Sequence, residues 1–302
     1  MVFLFYAGRT VFIRRGRESM DKIREKYAMR VERLEQVARE LRKRIVTMVY
    51  HAQSGHPGGS LSAADIVTAL YFDIMRVDPE KPKDPNRDRF IMSKGHACPA
   101  WYASLAMKGY FDEEHLKTLR RFGSILQGHP DMKKTPGLDM STGSLGQGAA
   151  ASVGMALDGK QRKNDYHVYT ILGDGELDEG IVWESLLVAN KYKLDNLTYI
   201  IDYNKLQLDG TLEQVMPLEP LIDKFKAFGW HVITIDGHDM MAILQAFETA
   251  KEVKGRPTVI IAHTIKGKGV SFMENDKNWH GQAPNTLQYE QAMVELEGAR
   301  NE

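Results

Sequence analysis

A short β-branched and aromatic run, Val168 to Leu172, stops at Gly173-Asp-Gly175; a helical pattern begins at Gly180, and a second run, Leu197 to Asp202, ends just before Asn204. No other feature constrains the fold as much. Runs of this length and composition read as buried parallel strands. Between them Val182, Leu186 and Ala189 share one helical stripe, with Trp183 and Leu187 beside it. A strand, a helix and a returning parallel strand make a crossover whose strand ends open on one edge of the sheet. Two glycines let the chain turn sharply there and let a ligand oxygen approach the backbone with no Cβ in the way. Asp174 and Asn204 then reach the same edge. A carboxylate, an amide oxygen and a backbone carbonyl are hard donors, and with two diphosphate oxygens they supply most of the octahedron that magnesium requires. Gly-Asp-Gly alone is equally a tight turn, and Asn204 equally a loop cap. The separation of Gly175 and Asn204 by 28 residues, across a helix, favours the metal-diphosphate reading.

Strand and helix patterns alternate along the rest of the chain. Candidate strands are Phe90–Met92, Val168–Leu172, Leu197–Asp202, His231–Asp236 and Pro257–Thr264; candidate helices are Ala63–Met75, Glu113–Phe122, Leu145–Asp158, Gly180–Lys193 and Met240–Val253. The pattern predicts an α/β fold, a doubly wound, mostly parallel sheet with helices on both faces. Before it, Ile23, Tyr27, Val31, Leu34, Ala38, Leu41, Ile45 and Met48 form one stripe of a long amphipathic helix over 20–50, whose many charges read as a solvated face. Residues 1–19 read as an extension, apolar over Met1 to Tyr6 and then arginine-rich, with Met20 as an alternative start. A signal peptide would place its charges first. One domain, 51–302, accounts for the remainder.

Lys+Arg and Asp+Glu each number 40, so no basic excess points to nucleic acid, and no apolar run approaches the length of a membrane span. A single cysteine, Cys98, leaves no intrachain disulfide, fits a reducing, cytoplasmic setting, and reads as a small buried side chain rather than a nucleophile.

Four of the ten histidines sit in glycine- or proline-marked loops: Ser54-Gly-His56-Pro-Gly58, Ser93-Lys-Gly-His96-Ala97, Gly128-His129-Pro130 and Asn278-Trp-His280-Gly281. Each alone is most simply a structural histidine. Together with Thr142-Gly-Ser-Leu-Gly-Gln-Gly148, Gly173-Asp-Gly-Glu-Leu-Asp-Glu-Gly180 and Lys191-Tyr-Lys-Leu-Asp-Asn-Leu197, in this order, they make the chain resemble the amino-terminal, diphosphate-binding part of transketolase over about residues 30 to 290. The family's metal motif places another Asn before the terminal one; Tyr203 stands there instead, which leaves the metal position intact and changes a flanking contact.

The resemblance implies thiamine diphosphate and Mg2+, or Ca2+ or Mn2+ in its place, as cofactors. Asp174, Asn204 and the Leu206 carbonyl then bind the metal. Gly173 and Gly175 lie against the diphosphate, His96 and Lys94 face it, and Gly143, Ser144 and Leu145, in the segment up to Gln147, meet the aminopyrimidine side. Lys266 and His280 match the family's closing loop. His56 and His280 match donors to the alkoxide that develops on the substrate, and His129 matches a position on the two-carbon unit. Imidazole also has a suitable pKa for proton transfer at the neighbouring sugar hydroxyl. Glu176 reads by itself as a solvent-facing acid of a helix's first turn, and by position beside Gly175 it joins the cofactor-binding set. Glu179 reads the same way by itself and matches a glutamate that relays protons at the family's subunit contact.

The family's activating carboxylate, pyrimidine pocket and sugar-phosphate residues come from a second domain, for which about 38 residues after the last strand are too few. The expectation is therefore the N-terminal subunit of a split transketolase, paired with a separate C-terminal subunit, most simply as a heterotetramer acting on sugar phosphates. Alternatives are a relative acting on a sulfonated ketose or forming deoxyxylulose phosphate, the α subunit of a 2-oxo-acid dehydrogenase, and a scaffold that has lost turnover.

Overall fold

The computed structural model describes residues 17–298 and, before them, two short antiparallel strands, β1 (Phe5–Tyr6) and β2 (Arg9–Thr10). Most of the expected extension over 1–19 falls outside the described residues. The main sheet has five strands, all parallel: β3 (Arg89–Met92), β4 (Val168–Gly173), β5 (Leu197–Tyr203), β6 (His231–Asp236) and β7 (Thr258–His263), in the order β3-β4-β5-β7-β6. All five predicted strands form, within one or two residues of their expected ends.

Strand alternation divides the apolar residues between two cores. Tyr169, Ile171, Ile200 and Ile260 face one side, packed under α1 (Arg17–Ala52), α2 (Pro57–Ser62), α3 (Ala64–Ala69), α4 (Cys98–Lys108), α9 (Met240–Glu252) and α10 (Thr286–Gly298). Val168, Leu172, Tyr199, Ile201 and Val259 face the other, under α5 (Gln147–Arg162), α6 (Gly180–Lys191), α7 (Leu212–Val215) and α8 (Leu221–Ala227). Helices thus cover both faces, the doubly wound arrangement the alternation predicts.

Three expectations are corrected. The helical stripe of α1 is buried from Leu34 to Met48, but its charges are not simply a solvated face: Arg42 is buried and clasps Asp65 at 2.9 and 2.6 Å, while Arg30 bridges Asp73 and Glu248. The expected helix Glu113–Phe122 is only a 3-10 turn, Glu113–Thr118, and helical geometry stops there because Leu119 is extended (ψ 131°), Arg120 is left-handed (φ 60°) and Gly123 turns again. The helix expected over Ala63–Met75 is α3 continued by a π turn at Leu70–Ile74. Cys98 is buried and its thiol is pushed up to about 12, chiefly by burial, so it is not poised as a nucleophile.

Candidate active site

Four strands end on one cleft of about 360 Å³, so the sheet itself does the positioning. Lys94 follows β3, Asp174 follows β4, Asn204 follows β5 and Lys266 follows β7. The cleft wall contains every site residue expected from the sequence except Ser144 and Glu179: His56, Lys94, His96, His129, Gly143, Leu145, Gly173, Asp174, Gly175, Glu176, Asn204, Leu206, Lys266 and His280. Ser144 and Glu179 are exposed, Glu179 standing at the N-cap of α6. Gly59, Gln207 and Leu208 also line the cleft and were not anticipated.

Beneath the floor lies a charge hub that sequence reasoning missed. Asp202 is fully buried on β5 and accepts from Lys94 Nζ, Ser62 Oγ (2.6 Å), Thr264 Oγ1 and Asn204 Nδ2 (3.2 Å). Burial, the largest single influence, would raise its carboxyl; Lys94, with Ser62 and Thr264, together outweigh it and hold the group below the usual range. Lys94 lines the cleft, as expected, and has a second task besides. Two of its three ammonium donors go to Asp202 and to Gly59 O at 2.7 Å, which fixes the floor under the cleft. The hub also orients Asn204: with Nδ2 tied to Asp202, Oδ1 is the free end, shared only with Leu206 N at 3.1 Å. An acid within an otherwise uncharged, β-branched and aromatic run, Leu197 to Asp202, was the available signal.

Asp174 is buried, its two oxygens accepting from Gly175 N (2.8 Å) and Lys205 N (2.5 Å). Burial, then Asp202, push its carboxyl up to about 7, the behaviour of a carboxylate with too little positive charge beside it. Among the described residues no three His, Cys, Asp or Glu side chains gather to hold a metal. The donors present, Asp174, Asn204 Oδ1 and Leu206 O, are all hard oxygens and too few for a complete shell, which fits a magnesium ion that shares oxygens with a bound diphosphate. Leu206 O also accepts from Lys266 Nζ at 2.8 Å, so the metal would share that carbonyl with an ammonium.

Glu176 corrects its solvent-facing reading. It is 2% exposed and accepts from Ser93 Oγ, Gly146 N (2.8 Å) and Gly173 N (3.0 Å), tying three loops of the cleft together. Burial raises its carboxyl in spite of these bonds. At Gly175 a Cβ would stand 2.9 Å from the Gln207 side chain, and at Gly143, with φ 143°, 2.9 Å from the His129 ring.

Three imidazoles roof the cleft: His56, His96 and His280 form a triangle with ring centroids 5.0 to 5.4 Å apart. Burial, followed by neighbouring cations, lowers His56 and His280 to about 4 and His96 well below its ordinary value; His129 is lowered by burial and Arg120. All four are neutral at pH 7 and so can donate or accept without carrying charge.

These shifts give the fold an acid limit. His56 and His280, and His167 at about 3, titrate in the folded state below the ordinary 6.5, so between these values the unfolded chain binds more protons and stability falls as pH falls. Asp174 and Glu176 act in the opposite sense but are outnumbered. Thermal melts of the chain should drop by at least about 5 °C from pH 6.5 to 4.5; a constant or rising midpoint would show the imidazoles to be ordinary.

The family described as "Transketolase, thiamine diphosphate binding domain" matches residues 34–295. The chain belongs to the transketolase family. It is 48% identical over 268 residues to one subunit of the apulose-4-phosphate transketolase of Phocaeicola vulgatus, covering 89% of this chain and 95% of that protein. It is likewise 48% identical over 264 residues to 6-deoxy-6-sulfo-D-fructose transketolase subunit SqwG of a Clostridium strain, covering 87% and 96%. Transketolase from Campylobacter jejuni has the same fold, with a TM-score of 0.83 and 35% identity over 87% of this chain. This chain spans only 42% of that enzyme. The transketolase-family domain here is thus a thiamine-diphosphate-binding one, with the parallel sheet and two helical layers of its solved relatives. Among the described residues no helix is long and apolar enough to cross a membrane.

Proposed function

We propose that this chain is the N-terminal subunit of a split transketolase, which moves a two-carbon ketol unit from a ketose phosphate to an aldose phosphate together with a separate C-terminal subunit. The observation that carries this reading is the single cleft in which Asp174, Asn204 Oδ1 and Leu206 O gather beneath three neutral imidazoles. Relatives named as single subunits of a transketolase match along nearly their whole length, which supports a two-chain enzyme, most simply a heterotetramer.

Thiamine diphosphate, when bound, supplies a nucleophilic carbon and stores the electron pair released when a carbon–carbon bond breaks. Everything else falls to the protein. Asp174, Asn204 and Leu206 O would hold a magnesium ion whose charge would favour the diphosphate, and Lys266 adds positive charge, its own pKa lowered by burial to about 8. His96, whose Nε2 lies 3.7 Å from where a Gly59 Cβ would stand, would donate to the diphosphate end. His56 and His280 donate to the oxygen that gains negative charge on the sugar, and neutral donors fixed in advance need no reorganisation as that charge appears. His129, more exposed at the rim, reaches the two-carbon unit. A neutral imidazole can also take the proton of the adjacent hydroxyl as the sugar bond breaks. In this reading Glu179, exposed at the start of α6, serves the contact with a second subunit.

A modified ketose as donor is the second reading, favoured by two relatives whose names specify apulose 4-phosphate and 6-deoxy-6-sulfo-D-fructose. One experiment covers both. The purified chain alone should show no ketol transfer, and adding the separately encoded C-terminal subunit should restore transfer that depends on thiamine diphosphate and magnesium. Donors assayed in parallel, an ordinary ketose phosphate, an apulose phosphate and a sulfonated ketose, separate the readings. Turnover by this chain on its own would overturn the two-chain proposal.

A further inference from the structure

We infer that Arg120 is a positioning residue that fixes the tautomer of His56, leaving its proton on Nε2. Resting on the proposed function above, this assigns a role to a residue that neither the motifs nor the cleft wall singled out. Arg120 Nη2 lies 3.2 Å from His56 Nδ1. A guanidinium has only donors, so Nδ1 must accept, and a neutral imidazole that accepts at Nδ1 carries its proton at Nε2. That Nε2 proton meets no protein acceptor among the described residues. The donor that His56 offers to a substrate oxygen is therefore selected by a residue on another loop.

The geometry around Arg120 is built for this contact. Nη1 donates to Ser54 Oγ at 2.9 Å and Nη2 also reaches Gly128 O at 3.5 Å, so one side chain ties the loop before His56 to the loop before His129. Gly128 makes room for it: a Cβ there would stand 3.2 Å from Arg120 Nε and 3.3 Å from Cζ. The Arg120 backbone sits at φ 60°, costly for a residue with a side chain, and is held there by its amide on Leu126 O at 2.9 Å. A planar fork that donates in several directions suits this site better than an ammonium.

His280 shows the same arrangement independently. Its Nδ1 lies 3.0 Å from Lys266 Nζ, so it too is steered toward an Nε2 proton. Two imidazoles that meet edge-on at 5.4 Å thus each have Nδ1 capped by a cation and Nε2 set as a donor. Besides Arg120, the charged or titratable groups facing His56 are His96, His129, His280 and Lys266.

The test is long-range proton–nitrogen NMR of the full chain labelled with nitrogen-15 histidine, with His56 assigned by His56→Gln. Wild-type chain should show His56 Nδ1 as the unprotonated nitrogen. Arg120→Met should give a mixed or inverted tautomer and a higher His56 titration midpoint, and Arg120→Lys an intermediate result. In the assembled two-chain enzyme, Arg120→Met should lower kcat roughly tenfold to a hundredfold, the range for groups that orient a functional imidazole, with KM little changed. A wild-type His56 protonated at Nδ1, or a tautomer and midpoint unmoved in folded Arg120→Met, overturns the assignment even if activity falls. If the tautomer shifts as expected but the wild-type pair performs no ketol transfer, the positioning role stands and the proposed function fails. Arg120→Gly, which relieves the backbone strain but removes the fork, should behave like Arg120→Met; wild-type tautomer in that variant also overturns the inference.

Discussion

Asp174→Ala removes magnesium-dependent thiamine diphosphate binding from the assembled enzyme. The expected loss of apparent cofactor affinity is at least roughly a hundredfold, about 2.7 kcal/mol. Asp174 is the only carboxylate among the three proposed metal donors, and its place after β4 is set by a strand paired on both sides. Asn204 and Leu206 O offer neutral oxygens that cannot replace its charge. The protein without cofactor should remain folded: the change relieves a buried carboxyl held up to about 7, and it leaves Gly175 N and Lys205 N without that acceptor, a cost of about 1–3 kcal/mol. Asp174→Asn keeps an acceptor for those amides and separates the two effects, since it should lose cofactor affinity almost as fully with less change in the melt. Titration calorimetry with and without magnesium reads the outcome, and tight, metal-dependent binding to Asp174→Ala would remove Asp174 from the site.

Lys94→Met should cost about 3–5 kcal/mol of stability, because it strands a fully buried Asp202 carboxylate without its cation. Ser62, Thr264 and Asn204 still donate to Asp202, but neutral donors do not repay the desolvation of a charge. The consequence reaches the site, since Asp202 also holds the Asn204 amide. The double change Lys94→Met, Asp202→Asn removes both charges and should recover more than half of the loss, as pairs of this kind do when replaced together. Urea unfolding of the chain without cofactor distinguishes this structural role from direct contact with the diphosphate. A Lys94→Met variant as stable as wild type would remove this structural role from Lys94.

Much of this was legible in sequence where local chemistry and long-range position coincide. The five strands declared themselves by β-branched runs, and Asp174 and Asn204 by lying at the ends of two adjacent runs, because a parallel sheet collects its strand ends on one edge. The three clustered histidines were visible as loop residues, though only the fold brings their rings within 5.0 to 5.4 Å. Roles decided by a partner distant in sequence were not legible. Glu176 looked like a first-turn acid, yet Ser93 and Gly146 bury it from loops far along the chain. The ion pair of Lys94 with Asp202, 108 residues along the chain, gave no sign in the sequence. α4 passed unnoticed because it is buried nearly all round and so lacks an amphipathic stripe. The predicted helix at 113–122 failed for a local reason, the extended backbone at Leu119 and the left-handed one at Arg120, which no propensity foretells.

Asp174, Asn204 and Leu206 are the proposed ligands of the metal that anchors the cofactor's diphosphate. Manganese tests this assignment most directly, because it replaces magnesium at oxygen sites and scatters X-rays anomalously. Crystals of this chain with its partner subunit, thiamine diphosphate and manganese should show one anomalous peak in each cleft, within coordination distance of Asp174, Asn204 Oδ1 and Leu206 O and of two diphosphate oxygens. A bound cofactor with no peak there, or with the peak on other side chains, would contradict the account.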